Sequence, residues 1–133
     1  MKAELVALAR HRLSRARETF QDAQKLLEEG STHGATNRFY YAAFYAARAL
    51  LALEELDSSK HSGVISLFNK HFVKTGLVQP EPAKILKVSF EKRQDSDYED
   101  FALVTRPEVE DMQDKILAFL SACETALERL VQS

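Results

Sequence analysis

Cysteine and tryptophan are almost absent from this sequence of 133 residues. It contains no tryptophan and a single cysteine, Cys123. One thiol cannot form an internal disulfide, and it excludes structural zinc sites that need two or more thiolates. Because the sequence makes no use of disulfides, a reducing compartment suits it, and we expect a cytoplasmic protein.

Glycine and proline are scarce as well, with four and three copies, while 45% of the residues are hydrophobic. This composition disfavours disorder and a turn-rich β-sandwich, and it favours long helices. The acidic residue Glu4 lies near the start of the chain, where a signal peptide would need an uncharged apolar run, so we expect no signal peptide. No run of about 18 apolar residues occurs, so we expect no membrane span. The length predicts one domain over residues 1–133, and the net charge of -2 confines any RNA contact to a local patch.

Apolar residues recur every three or four positions along most of the chain, which is the period of an amphipathic helix. The predicted elements are a helix over 5–29 ended by Gly30, a central helix over 33–56, a short helix capped by Asp57, Ser58 or Ser59 and ended by Gly76, a helix from Pro80 to about Ser96, a loop over 97–104, and a last helix opened by a Thr105–Glu108 capping box. We therefore predict an all-α bundle of four main helices plus a short extra helix.

The central helix is predicted to be buried on two sides. Tyr40, Phe44 and Leu51 lie opposite its main apolar face. A four-helix core in so short a chain should not be able to cover this second face. We therefore expect a homodimer in which the partner copy covers it.

Four arginines are concentrated in the first helix, where they point to both of its flanks: Arg10, Arg12, Arg15 and Arg17. Two interpretations stay open for them, a solvated face, which we favour, and a track for RNA. The last predicted helix is the acidic one.

Signature motifs of the common nucleotide, zinc and hydrolase sites are missing. The sequence has no G-x-x-x-x-G-K-[ST], G-x-G-x-x-G, H-E-x-x-H or G-x-S-x-G, and no E-x-x-H pair for a diiron bundle. Asp95, Asp97 and Glu99 resemble the start of a calcium loop, but Asp100 stands where glycine is required. We expect no metal ion and no cofactor.

Three polar features are unusual for a plain bundle. Asn37, Tyr41 and Arg48 form a polar stripe on the central helix, and they are either binding residues or internally hydrogen-bonded. His61, in K-H-S-G, opens the short helix, where it either has a structural role or binds an anion. The run R-Q-D-S-D-Y at residues 93–98 exposes an arginine, an acid and a phenol at a helix end, a set that can hold a phosphate and handle a proton.

The sequence resembles the small prokaryotic HEPN-domain proteins in three blocks that occur in the expected order: N-R-F-Y-Y-A-A-F-Y-A-A-R-A-L at 37–50, K-H-S-G-V-I-S-L-F at 60–68 and R-Q-D-S-D-Y at 93–98. The resemblance covers essentially the whole chain. It implies a helical bundle that dimerises, that is encoded beside a minimal nucleotidyltransferase and that often acts with it as a toxin and antitoxin pair. In related toxins the tyrosine corresponding to Tyr98 is adenylylated, which silences the toxin.

Active members of this family are metal-independent ribonucleases, with an arginine followed after four to six residues by a histidine. Arg93 matches the arginine, but Asp97 stands near the place of the histidine, and the last histidine of the chain is His71. RNA cleavage needs a base, an acid and a cation on the phosphate, and arginine supplies only the cation. His61 is one candidate for the missing imidazole, and Asp97 is the other candidate base. The alternatives are an inactive nucleotide-binding module and a dimeric scaffold.

Overall fold

The computed structural model describes residues 1–98 and 104–133 and shows a helical bundle. Its elements are α1 (Ala3–Glu28), α2 (Thr32–Leu53), α3 (His61–Phe68) with a π-helical turn at Asn69–Val73, α4 (Pro80–Tyr98) and α5 (Arg106–Gln132). No strand occurs in these two ranges. The predicted all-α bundle of four main helices plus a short one is therefore confirmed. The described helices are all too polar or too short to span a bilayer.

Helix α2 lies at the centre of the bundle and contacts each of the other four helices. Many of its buried positions are alanines, and Ala42, Ala43, Ala46 and Ala47 have no exposed surface. Small side chains at a helix crossing allow the axes to approach closely. The alanine-rich run therefore lets the flanking helices close around α2.

The second apolar face of α2 is covered within the single chain. Tyr40 and Leu51 have 0% exposed surface and Phe44 has 8%. The Tyr40 ring packs against His61 of α3 and Phe90 of α4. The expectation that a second copy is needed to cover this face is wrong, because α3 and α4 fold over it. The apolar face of α2 therefore gives no reason to expect a homodimer, which only the family resemblance implies.

The ends of α1 and α2 share one backbone geometry but differ in residue type. Gly30 has φ 85° after α1, as predicted for a glycine that ends a helix. Glu55 takes the same place after α2 with φ 55°, and the Leu56 amide donates to the Leu51 carbonyl at 3.0 Å. Helix α2 therefore ends at Leu53 instead of residue 56, and the sequence did not reveal this because no glycine marks the position.

The start of α3 depends on a close contact between Ser58 and Gly63. Lys60 precedes the helix in an extended conformation without a side-chain cap, so the predicted caps are wrong. Ser58 Oγ instead accepts from the Lys60 amide at 3.2 Å. A Cβ on Gly63 would lie 2.0 Å from Ser58 Oγ, so only glycine fits there. This turn fixes His61 as the first residue of α3.

Helix α4 extends further than the sequence indicated. Asp97 and Tyr98 are helical, although a loop was predicted over 97–104. An ion pair between Arg93 and Asp97, one turn apart, supports this last turn. Residues 99–103, which include Glu99 and Asp100 of the rejected calcium pattern, lie outside the described part. The capping box of α5 is confirmed, with the Thr105 side chain and the Glu108 amide 3.4 Å apart.

Two arginines of α1 pair with the acidic helix α5. Arg10 forms an ion pair with Glu128, and the Arg17 Nε atom donates to Glu124 at 2.9 Å. Arg12 and Arg15 belong to the other flank and approach α2. The two-flank arrangement predicted for this cluster is thus observed, and only one of its flanks is neutralised by carboxylates of α5.

Candidate functional site

Arg93 of α4 is packed against two tyrosine rings of α2. Its guanidinium carbon lies 5.6 Å from the ring centres of both Tyr40 and Tyr41. The Nε atom donates to the Asp97 carboxylate at 3.2 Å, and the two side chains are 11% and 21% exposed. Asp97 is an exposed residue, as expected for the end of a helix, whereas the Arg93 guanidinium is largely covered because the Tyr40 and Tyr41 rings lie against it.

His61 lies beside the same tyrosines. Its ring stacks on Phe44, with centres 4.4 Å apart and planes at 14°. Its Nδ1 atom is 2.6 Å from the Tyr40 hydroxyl oxygen, which is a hydrogen bond. The Tyr41 ring meets it edge-on at 5.8 Å. The structure thus brings His61 to the tyrosine pair that also holds Arg93, as the sequence hypothesis required. We call Tyr40, Tyr41, His61 and Arg93 the tyrosine cluster.

The electrostatics of the tyrosine cluster keep its imidazole neutral. Burial, followed by the positive charges of Arg93 and Arg48, lowers the pKa of His61. A neutral imidazole near neutral pH can accept a proton. Burial also raises the pKa of Tyr40 far above its ordinary value, so this phenol stays protonated. Tyr40 can therefore orient the imidazole but cannot act as a base.

The hydrogen bond between Tyr40 and His61 allows two tautomers. If the phenol donates to Nδ1, the imidazole carries its proton on Nε2 and acts as a donor. If Nδ1–H donates to the phenol oxygen, Nε2 has a free lone pair and acts as a base. The same residue can therefore either bind an anion or take a proton from a hydroxyl group.

The predicted polar stripe on α2 adjoins the tyrosine cluster. Asn37 Oδ1 accepts from Arg38 at 3.1 and 2.9 Å, and the Arg38 guanidinium lies 4.9 Å from the Tyr41 ring centre. Arg48 Nη2 donates to Asp57 at 3.1 Å, and its guanidinium lies 5.9 Å from the Phe44 ring centre. Asn37 and Arg48 are therefore internally hydrogen-bonded. The guanidinium groups of Arg38 and Arg48 lie beside the rings of Tyr41 and Phe44, so they add positive charge next to the tyrosine cluster.

Sequence reasoning missed three residues of this surface. His33, at the start of α2, has Nδ1 2.6 Å from Ser96 Oγ and Nε2 3.4 Å from Asp97 Oδ1. It brings an imidazole to the Arg93–Asp97 pair from a distant part of the chain. Arg38 and Tyr40 were also missed. The period of α2 marked Tyr40 as apolar, and only the fold supplies the partner of its hydroxyl.

Of the predicted modification site, Tyr98, the structure describes only the backbone. The backbone of Tyr98 ends α4, but its side chain is outside what the structure describes. Across residues 1–98 and 104–133, no three His, Cys, Asp or Glu side chains converge as metal ligands.

Known proteins resemble this chain over most of its length. The HEPN domain model matches residues 9–126. A UPF0332 protein of Thermotoga maritima is 44% identical over 116 residues, which are 87% of this chain and 88% of that protein. Two Methanocaldococcus jannaschii proteins are named as candidate toxins. One is 29% identical over 82% of this chain and 74% of its own length, and the other is 36% identical over 62% of both chains. With a HEPN model matching all but its ends, and the three sequence blocks gathered into one bundle, the chain belongs to the HEPN domain family.

Proposed function

We propose that this chain is a toxin-like HEPN protein that works with a minimal nucleotidyltransferase and binds the phosphate of RNA or of a nucleotide at the tyrosine cluster. The names of the two archaeal relatives support the toxin-like part of this proposal. The three sequence blocks support the pairing, since the resemblance implies such a partner.

The observation that carries the binding proposal is the placement of Arg93 and His61 against one pair of tyrosines. The Arg93 guanidinium carbon lies 5.6 Å from the centres of both rings, and His61 is hydrogen-bonded to the Tyr40 hydroxyl. Arg38 and Arg48 add positive charge on the same helix. Guanidinium groups bind phosphate through charge-assisted hydrogen bonds, and the tyrosine rings offer surfaces on which bases can stack. Asn37, Tyr41 and Arg48 are the accessory binding residues of this proposal.

A metal-independent ribonuclease is the catalytic form of this proposal. In this reaction the RNA 2'-hydroxyl attacks the adjacent phosphorus, the P–O5' bond breaks, and a 2',3'-cyclic phosphate and a 5'-hydroxyl result. His61 is the proposed base that takes the 2'-hydroxyl proton, because its imidazole is neutral. Arg93 is proposed to stabilise the charge on the phosphate. Water is the proposed donor of the proton that the leaving oxygen takes up, because both ring nitrogens of His33 are engaged by Ser96 and Asp97.

Asp97 has a positioning role in this proposal. It accepts from Arg93 and faces His33, so it orients the two groups between which it lies. It was the other candidate base in the sequence. The geometry favours His61 for that role, because the Asp97 carboxylate is already engaged by a guanidinium.

An inactive binding module is the second candidate. One observation favours it: His61 is held by a stack on Phe44 and by the Tyr40 hydroxyl, which suits a fixed recognition residue. In that case RNA binds without being cut. In either form of the proposal, Tyr98 is the site at which the nucleotidyltransferase adds AMP, and the protein is a homodimer.

Binding and cleavage of a short fluorescent single-stranded RNA test the proposal. The comparison uses wild-type protein, Arg93→Gln and the control Lys87→Gln, which removes the same charge from an exposed position of α4. We expect Arg93→Gln to weaken binding about tenfold while Lys87→Gln stays within twofold. Because Arg93 is enclosed, thermal unfolding must first establish that the variant folds.

The outcomes separate the two candidates. Cleavage in the presence of EDTA that is lost in Arg93→Gln and His61→Gln supports the ribonuclease. Binding without cleavage supports the inactive module. Equal binding by folded Arg93→Gln and by Lys87→Gln removes the tyrosine cluster from the site and rejects the proposal.

A further inference from the structure

A basic pocket lies between α1 and α2, apart from Arg93. Its volume is about 190 Å³, and its lining residues are His11, Arg12, Arg15, Tyr45 and Arg48. Three of the five are arginines and a fourth is a histidine. None belongs to the tyrosine cluster, although the Tyr45 ring contacts the Tyr41 ring at 5.9 Å.

Positive charge in this pocket exceeds the negative charge that faces it. Arg12 Nη1 donates to the backbone carbonyl of Arg48 at 3.2 Å, which anchors the Arg12 side chain against α2. Burial, followed by the charge of Arg48, lowers the pKa of Arg12. Asp57 is the carboxylate that acts on both arginines, and its side chain is 57% exposed. Solvent therefore screens the compensating charge of Asp57.

Arg15 contributes a charge without a carboxylate partner in the described part of the chain. Its guanidinium lies 6.0 Å from the centre of the Tyr45 ring. By contrast, Arg10 and Arg17 on the opposite flank of α1 are each paired with a glutamate of α5. The unneutralised part of the arginine cluster therefore coincides with the pocket.

Arg48 also has an unused hydrogen-bond donor. Its Nε atom is buried and has no partner among the described residues, while Nη2 is held by Asp57. Buried polar atoms are nearly always paired in folded proteins. The Arg48 guanidinium is therefore only partly satisfied by protein groups, which adds to the excess positive charge beside the pocket.

We propose that this pocket is a second phosphate subsite, which takes one phosphate group of a nucleotide or of an RNA strand. Pockets that enclose whole small ligands usually measure roughly 300–1,000 Å³. A volume of about 190 Å³ therefore suits a single phosphate group, with Tyr45 at the side for an attached sugar or base. The subsite goes beyond the proposed function, since its residues bind phosphate whether or not Arg93 does.

The position of the pocket relates it to the tyrosine cluster. Tyr41 and Arg48 are about 10 Å apart along the axis of α2, at 1.5 Å per residue. Tyr45 lies between them in the sequence, and its ring touches that of Tyr41. A strand of a few nucleotides that binds at Arg93 is therefore within reach of the pocket, with two aromatic rings along its path.

Titrations of the folded full chain with inorganic phosphate, AMP and a six-nucleotide single-stranded RNA test the subsite. The test variant is Arg15→Gln, because Arg15 is exposed and its loss should not perturb folding. The control is Arg10→Gln, which removes the same charge from the opposite flank of α1. We expect Arg15→Gln to weaken AMP and RNA binding about tenfold and to flatten the salt dependence, with Arg10→Gln within twofold.

The three probes distinguish the source of the phosphate. A loss confined to inorganic phosphate and AMP supports the subsite with a free nucleotide as its ligand, and a loss that includes RNA supports a strand. Weakening by Arg15→Gln while Arg93→Gln binds normally keeps the subsite and rejects the proposed function. Weakening by Arg93→Gln alone, with Arg15→Gln equal to Arg10→Gln for every probe, overturns the subsite and leaves the proposed function standing.

Discussion

Replacing Tyr40 by phenylalanine should destabilise the protein measurably and loosen His61. The substitution keeps a ring at a position with 0% exposure, so the contacts with Phe44 and Phe90 are retained. It removes only the hydroxyl that lies 2.6 Å from His61 Nδ1. A buried group left without its partner costs about 1–3 kcal/mol, and His61 is half-buried, so we expect about 1 kcal/mol because water can replace the phenol.

The size of this effect can be measured by thermal and chemical unfolding. A loss of about 1 kcal/mol corresponds to a midpoint shift of roughly 3–5 °C for a domain of this length. The matched control is Tyr41→Phe, since the Tyr41 hydroxyl has no hydrogen bond in the described part of the chain, and we expect it to stay within about 0.5 kcal/mol.

A double-mutant cycle with His61→Phe isolates the hydrogen bond. The phenylalanine preserves the stack on Phe44 and removes the nitrogen. We expect Tyr40→Phe and His61→Phe to be coupled by about 1 kcal/mol. Additive effects, or a neutral Tyr40→Phe, would refute the view that this hydrogen bond holds the imidazole in place.

Three further outcomes are expected. The pKa of His61 is lowered from 6.5 in the native chain, so the unfolded chain takes up a proton that the native chain does not. The stabilisation that comes from the neutral imidazole is therefore present above about pH 6.5 and is lost as the pH is lowered through that value. Between pH 7.5 and 5.5, the free energy of unfolding of His61→Phe should vary less with pH than that of His71→Gln. Co-expression with a neighbouring nucleotidyltransferase should add one or more AMP units to the intact mass, and Tyr98→Phe should abolish the gain; an unmodified mass beside a demonstrably active partner contradicts this. Light scattering at micromolar concentration should give a dimer mass, and a monomer mass would reject the homodimer.

The fold follows from sequence because its helices carry strong local signals. The three- and four-residue period predicted every main helix, and Gly30 and the Thr105–Glu108 capping box marked their ends correctly. The end of α2 was missed because Glu55 adopts a left-handed conformation that usually needs glycine. The last turn of α4 was missed because a polar run reads as a loop, whereas the Arg93–Asp97 pair stabilises it as helix.

The candidate site is less accessible to sequence reasoning because it is assembled from three helices. His61 and Arg93 were recognisable individually, but their shared contact with Tyr40 and Tyr41 exists only in the folded chain. The same holds for His33, whose approach to Asp97 joins the start of α2 to the end of α4. Helical periodicity identifies which face of α2 is apolar, but it does not tell that a buried tyrosine hydroxyl has a histidine partner.

Phosphate binding at the tyrosine cluster is tested most directly by NMR of the imidazole rings during titration with AMP. The chain has four histidines, which allows each ring to be assigned by substitution. We predict that the His61 resonances shift with AMP while those of His71 do not, and that folded Arg93→Gln loses the His61 response. Unchanged His61 resonances at saturating AMP, or an equal response in Arg93→Gln, would contradict the assignment of Arg93 and His61 to one phosphate site.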